Sequence, residues 1–162
     1  MRNTREAFNW IVDILEKENI PFIISGGLAA RYYGSKRNLA DIDIEVLKSH
    51  IPLIASKVNQ YIIFGPERYI DNNWDLELLT LKYKGQEIDI ADKDSKLFNK
   101  HSNKWESSNS NNGKYIQGVI LGRKVQIESI EELMSYKMKL MRKCDIKDLN
   151  QLERIYKLRN VS

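Results

Sequence analysis

The sequence carries a single cysteine, Cys144, among 162 residues. One thiol cannot close an internal disulfide, so nothing points to secretion. It also lacks a C-x-x-C partner, which argues against a metal or redox role. The two histidines, His50 and His101, are isolated and without metal-ligand spacing. No apolar run approaches the ~20 residues that a membrane helix needs. The N-terminal MRNTREAFNW is polar and has no signal-peptide core, so a cytoplasmic protein with no membrane contact is expected. There is no internal repeat and no sign of a second domain. One domain over 1–162 is expected, with C-terminal helices from about 130. Net charge is only +4, which permits contact with phosphates without demanding nucleic acid.

Hydrophobic content of 42% and charged content of 30% fit an ordinary soluble core and surface. Thr4 is placed to cap a first helix, whose Phe8, Ile11, Val12 and Leu15 recur at helical spacing. Pro21 introduces a short apolar strand, Phe22-Ile23-Ile24. Gly26-Gly27 ends it and opens a helix through Tyr33, with Gly34 as its C-terminal cap. Asp41 to Val46 alternates polar and apolar residues, the mark of a strand with one polar face. Ser49 is placed to cap a helix through about Asn59. Tyr61 to Phe64 is β-prone and ends at Gly65-Pro66. Leu76–Tyr83 and Gln86–Ala91 read as a hairpin turning at Lys84-Gly85. His101 to Lys114 is rich in Ser and Asn and reads as a loop. A second hairpin turns near Gly122. Ser129 and Glu132 form a capping box for a helix through about Arg142, and a last helix runs from about Asp145 to Leu158. The fold class is α/β (α+β), with a mixed β-sheet flanked by helices.

Two features do nothing for a core. Asp41 and Asp43, two residues apart on a strand, project from the same face. Like charges at that range raise one pKa unless a cation lies between them, and magnesium is the usual hard partner for oxygen ligands. An exposed edge strand would also carry such a pair. The Gly26-Gly27 pair follows an apolar strand and opens a helix, where backbone N–H groups can approach a phosphate. A tight turn with nothing bound has the same sequence. Together the two features describe one site, with phosphates on the turn and metal on the next strand.

The run Ser25-Gly26-Gly27-Leu28-Ala29, then Gly34, Arg37 and Asp41-Ile42-Asp43-Ile44, resembles the signature of the nucleotidyltransferase superfamily related to DNA polymerase β. It is most similar to a small single-domain branch that includes lincosamide- and aminoglycoside-type nucleotidyltransferases and abortive-infection toxins. The resemblance implies transfer of a nucleoside monophosphate from a nucleoside triphosphate to a hydroxyl, with two magnesium ions. Leu39 stands where members often carry Thr or Ser. The family requires a third carboxylate on a neighbouring strand, here Asp89, with Asp92 as runner-up. Asp41, Asp43 and Asp89 would be the catalytic metal ligands, with Asp89 acting on the acceptor hydroxyl. Ser25, Gly26 and Gly27 would hold the triphosphate, and Arg37 and Lys137 would neutralise it. The stretch from Val125 to Leu149 is similar to the tail of the same branch. There Asp148 would orient Lys137, and Asp145 would cap the last helix. Trp105, in the polar loop, is a candidate to close over substrate. The acceptor is unspecified among a small molecule, RNA or a protein. A non-catalytic partner of a toxin–antitoxin pair, with a cognate antitoxin, is the alternative.

Overall fold

The computed structural model describes residues 1–108 and 114–160. The order is α1 (Thr4–Lys17), β1 (Ile23–Ser25), α2 (Gly26–Tyr32), β2 (Asp41–Val46), α3 (Ile51–Lys57), β3 (Ile62–Ile70), β4 (Trp74–Tyr83) and β5 (Gln86–Asp92). Then come β6 (Lys96–Asn99), β7 (Lys104–Ser107), β8 (Tyr115–Ile120), β9 (Arg123–Glu128), α4 (Ile130–Leu140) and α5 (Lys143–Arg159). The strands make one mixed sheet in the order β7-β6-β4-β5-β2-β1-β9-β8, with β3 added to β4. β2 lies between antiparallel β1 and parallel β5. The expected mixed sheet with flanking helices is what forms. No helix among the described residues is long and apolar enough to cross a membrane.

Side-chain alternation sets the two faces of the centre of this sheet. Ile42, Ile44 and Val46 of β2 and Ile88 and Ile90 of β5 are buried. The acidic residues between them fall on the opposite face. α1 buries Ala7, Phe8, Ile11, Val12 and Leu15 as one stripe and packs against β5 and α3. Burying a ring the size of Phe8 contributes roughly 1.5–3 kcal/mol relative to exposure.

Turn chemistry fixes the register. Lys84 and Gly85 have φ of 50° and 74°, so both central residues of the β4–β5 turn are left-handed. This is the two-residue geometry whose twist matches the flanking strands. It pairs Tyr83 with Gln86, and therefore Thr80 with Asp89. Leu121 and Gly122 turn the β8–β9 hairpin in the same way, with φ of 48° and 84°.

Several expectations are corrected. Asn3, not Thr4, caps α1, because its side chain accepts the Glu6 N–H. Ser49 caps nothing; it lies in a short 3-10 turn that leads into α3. Gly65-Pro66 does not end β3, which runs on to Ile70 through shifts in register on either side of Phe64. Pro is tolerated there because β3 pairs with β4 alone and needs no N–H at the bulge. Part of the expected loop from His101 is strand β7, paired with β6 through Phe98–Trp105 and Asn99–Lys104. Residues 109–113 of that loop lie outside the described residues.

The last two helices are joined by buried charge. Ser129 caps α4 by accepting the Glu132 N–H. Met141, left-handed at φ 52°, ends the helix. The Lys137 side chain is only 1% exposed, with its Nζ 3.0 Å from Asp148 and 3.5 Å from Asp145. Asp148 also accepts from Ser35 Oγ at 2.7 Å and from Arg37. One network thus ties α4, α5 and the loop before β2. Removing Asp148 would leave buried Lys137 with Asp145, at 3.5 Å, and without its shorter ion pair. Asp148→Ala should lower the unfolding free energy by about 3–5 kcal/mol, the usual loss when one member of a buried ion pair is deleted. Urea unfolding measures this, and a change below about 1 kcal/mol would show that the network is structurally idle.

Candidate active site

A single row crosses the polar face of the sheet. Thr80 of β4, Asp89 of β5, Asp43 of β2 and Ser25 of β1 are successive register partners. Asp41 lies two residues before Asp43 on the same face. Asp41, Asp43 and Asp89 bring one carboxylate oxygen each to within 4.8 Å of one another. Thr80 Oγ1 donates to Asp89 Oδ1 at 2.7 Å and so fixes that side chain.

This crowding has an electrostatic cost. Burial pushes the Asp43 carboxyl well above its usual range, and the charges of Asp41 and Asp89 add to it; Lys137 and Arg142 offset part of this. Burial also pushes Asp89 up to about 6, against the Thr80 hydrogen bond and with the help of Asp41 and Glu87. Three converging hard oxygen donors, with Asp43 and Asp89 disfavouring their ionised forms, suit a divalent cation such as magnesium. The donor set fits the metal that the sequence implied.

The glycine pair serves two purposes. Gly26 has φ +59°, and a Cβ there would overlap the Asp43 carboxylate. Only glycine lets the turn lie against that strand. The positive φ belongs to Gly26 and not to Gly27. At Gly27 a Cβ would meet Arg37 Nη2 at 2.9 Å and Leu39 Cδ1 at 3.2 Å. Gly27 therefore makes room for the Arg37 guanidinium over the turn.

These residues line a cavity of about 510 Å3. Ser25, Gly26, Gly27, Arg37, Asp41, Asp43, Asp89 and Lys137 all border it. Residues spread over more than a hundred positions are thus brought together by β1, β2, β5 and α4. One wall is apolar, formed by Phe64, Leu76 and Leu78 with Tyr69 and Trp74. The Tyr69 hydroxyl donates to Asp71 Oδ2 at 2.9 Å. The basic side is already partly neutralised. Lys137 faces Asp148 and Asp145, and the Arg37 guanidinium lies 3.1 Å from Asp148. Burial raises the Asp148 carboxyl, but Arg37, Lys137 and Ser35 hold it below the ordinary range.

Asp148 sits where the sequence placed it, against Lys137. Asp145 holds the start of α5 from its third position, where Oδ2 accepts the Arg142 backbone N–H at 3.0 Å. Asp92 lies off the cavity, its Oδ1 accepting the Asp94 N–H. Trp105 packs edge-on against Phe98 and does not line the cavity.

Sequence reasoning missed Thr80, Arg142 and a second group of acids. Thr80 was reachable, because a two-residue turn at Lys84-Gly85 dictates its pairing with Asp89. Arg142 has no site role in the sequence reading, where it ends a helix and opens the tail segment that reaches Leu149. It borders the cavity while its guanidinium grips Asp145 at 2.7 and 3.1 Å. Glu45 and Glu128 also border the cavity, and Glu132 is buried nearby. Burial, with the charge of Glu132, pushes Glu45 up to about 7. Burial pushes Glu128 well above its usual range, with Glu45 and Glu132 adding. No short-range signal marks that cluster, since its members come from β2, β9 and α4.

No protein-family profile and no curated protein matches the sequence. Solved structures do match over nearly the whole chain. A protein of Thermotoga maritima, described provisionally as a nucleotidyltransferase, superposes with a TM-score of 0.71 at 18% identity, covering 100% of this chain and 97% of its own. The lincosamide antibiotic adenylyltransferase LnuA, solved with lincomycin, gives a TM-score of 0.64 at 18% identity, with 95% and 98% covered. The antibiotic-resistance factor ANT(2'')-Ia, solved with adenylyl-2''-tobramycin, gives 0.61 at 17%, with 96% and 94% covered. With its aspartate row and glycine turn at the centre of the sheet, this chain has the nucleotidyltransferase fold.

Proposed function

We propose that the protein is a magnesium-dependent nucleotidyltransferase that moves a nucleoside monophosphate from a nucleoside triphosphate to a hydroxyl of a small molecule. The convergence of Asp41, Asp43 and Asp89 oxygens within 4.8 Å, against a glycine turn, carries this reading. The intact triad favours an enzyme over a non-catalytic toxin–antitoxin partner. The cavity of about 510 Å3 with an apolar wall, and the antibiotic ligands of the structural neighbours, support a small acceptor.

Asp41, Asp43 and Asp89 would hold two magnesium ions, which supply charge neutralisation at the triphosphate and acidify the acceptor hydroxyl. The Gly26-Gly27 turn receives the triphosphate, because no side chain blocks its backbone. Arg37, packed over Gly27, would lie beside the phosphate tail. Asp89 accepts the acceptor proton, oriented through Oδ1 by Thr80. Without metal the Asp89 carboxyl is raised to about 6, and a bound cation would favour its ionised, proton-accepting form. A bond forms between the acceptor oxygen and the α-phosphorus, the α–β phosphoanhydride bond breaks, and pyrophosphate leaves.

Protons and metal compete for the triad. Asp89 is raised from 3.8 to about 6, so the metal-free folded state binds more protons than the unfolded chain between those values. Its contribution to metal-free stability is present below about 4 and is lost as pH rises through about 6. Magnesium should therefore raise the thermal midpoint more at pH 7 than at pH 5. Asp43→Asn should abolish that gain while the metal-free midpoint holds or rises. A wild type indifferent to magnesium, or a variant that keeps the gain, would refute the metal assignment.

Asp89→Ala should keep nucleoside triphosphate affinity within a few-fold, because its work is on the acceptor side. Single-turnover transfer should fall by about 10²–10⁴-fold, the range for a lost general base. Retained transfer would remove Asp89 from that role.

The two glycines should differ. Gly26→Ala places a methyl on Asp43 at a left-handed φ and should lose both the magnesium response and nucleotide binding. Gly27→Ala displaces the ends of the Arg37 and Leu39 side chains and should weaken nucleotide binding by less than tenfold while keeping the magnesium response. Equal losses, read by calorimetric titration, would contradict the division of labour.

A further inference from the structure

A second cavity, of about 600 Å3, lies on the far side of Arg37 between the loop before β2 and helix α5. Arg37 borders both cavities. Lys147, Asn150, Gln151 and Arg154 line it from α5 at positions i, i+3, i+4 and i+7, which form one face of the helix. Lys36 faces them from the loop. Gln151 Oε1 accepts the Lys36 backbone N–H at 2.6 Å and braces the loop against the helix. No carboxylate among the described residues lines this cavity. Among the described residues, none of Lys36, Lys147 and Arg154 has an ion-pair partner. Three cations without ion-pair partners, with amide donors around the same concavity, suit an anion that carries several charges.

We propose that this cavity binds an inorganic polyphosphate chain, and that its source is the pyrophosphate leaving the transfer site. The second half rests on the nucleotidyl-transfer reading. In-line displacement expels the leaving group opposite the attacking oxygen. The acceptor oxygen belongs at Asp89, whereas the glycine turn continues the row beyond Asp43 at its other end. Pyrophosphate therefore departs on the Gly27–Arg37 side, where the basic cavity begins. Arg37, held by Asp148 on α5, is the shared wall. No aromatic side chain lines the cavity, so nothing there can stack a nucleic-acid base. That favours a bare phosphate chain over single-stranded RNA.

The test is calorimetric titration of sodium pyrophosphate into the full chain in EDTA, where neither magnesium nor turnover contributes. Wild type should bind pyrophosphate more tightly than orthophosphate. Lys147→Ala/Arg154→Ala should lose about tenfold or more, since each removed cation costs a charge-assisted contact. Both residues are exposed, so the thermal midpoint should be unchanged. Lys147→Arg/Arg154→Lys should bind like wild type. Undiminished binding by the alanine pair would overturn the site. So would displacement of pyrophosphate by a short single-stranded RNA at lower concentration than by tripolyphosphate. If pyrophosphate binds through these residues but the protein transfers no nucleotide, the functional reading and the proposed source both fall, and the anion site stands.

Discussion

Repulsion among three aspartates is the constraint around which the centre of the molecule is built. Asp43 and Asp89 are paired in register on parallel strands, and Asp41 follows two residues away on the same face. No relaxed protein surface would choose that density of charge. It is sustained because the reverse faces of the same strands carry Ile42, Ile44, Ile88 and Ile90, all buried. A shift of one residue in either strand would turn its carboxylates into the core and its isoleucines to the cavity. The hydrophobic pattern that specifies the register thus also aims the acids.

A second electrostatic arrangement holds the cavity's opposite side. Lys137 is almost wholly buried, and its charge is shared by Asp145 and Asp148. Asp148 also grips Arg37, and Asp145 grips Arg142. The cations near the glycine turn are therefore positioned by carboxylates, which limits their motion and offsets part of their charge. Buried pairs of this kind are weak sources of net stability, but deleting one partner is costly. Their use here is to hold α4, α5 and the loop at Arg37 in a fixed relation to the sheet.

The amino-acid sequence by itself determined the local elements whose signals are short-range. The DIDIEV alternation specified a two-faced strand, and it formed over Asp41–Val46. The Lys84-Gly85 turn specified a hairpin, and Ser129 specified a helix start. The Gly26-Gly27 pair and the Asp41/Asp43 pair were legible as features that need a physical reason, and they border one cavity with Asp89. Tertiary structure decided what depends on neighbours remote in the chain. β7 has no apolar run of its own and exists through pairing with β6. β3 passes Gly65-Pro66 because an edge strand can hold a bulge there. The left-handed requirement at Gly26 comes from Asp43 across the turn, and the neutralisation of Lys137 comes from a helix that follows it. The acids at Glu45, Glu128 and Glu132 meet only when β2, β9 and α4 assemble, so the raised pKa values of Glu45 and Glu128 have no local signature. Periodicity and turn chemistry act over a few residues and can be read from a chain, whereas desolvation and Coulomb interaction act through space and arise only once the chain is folded.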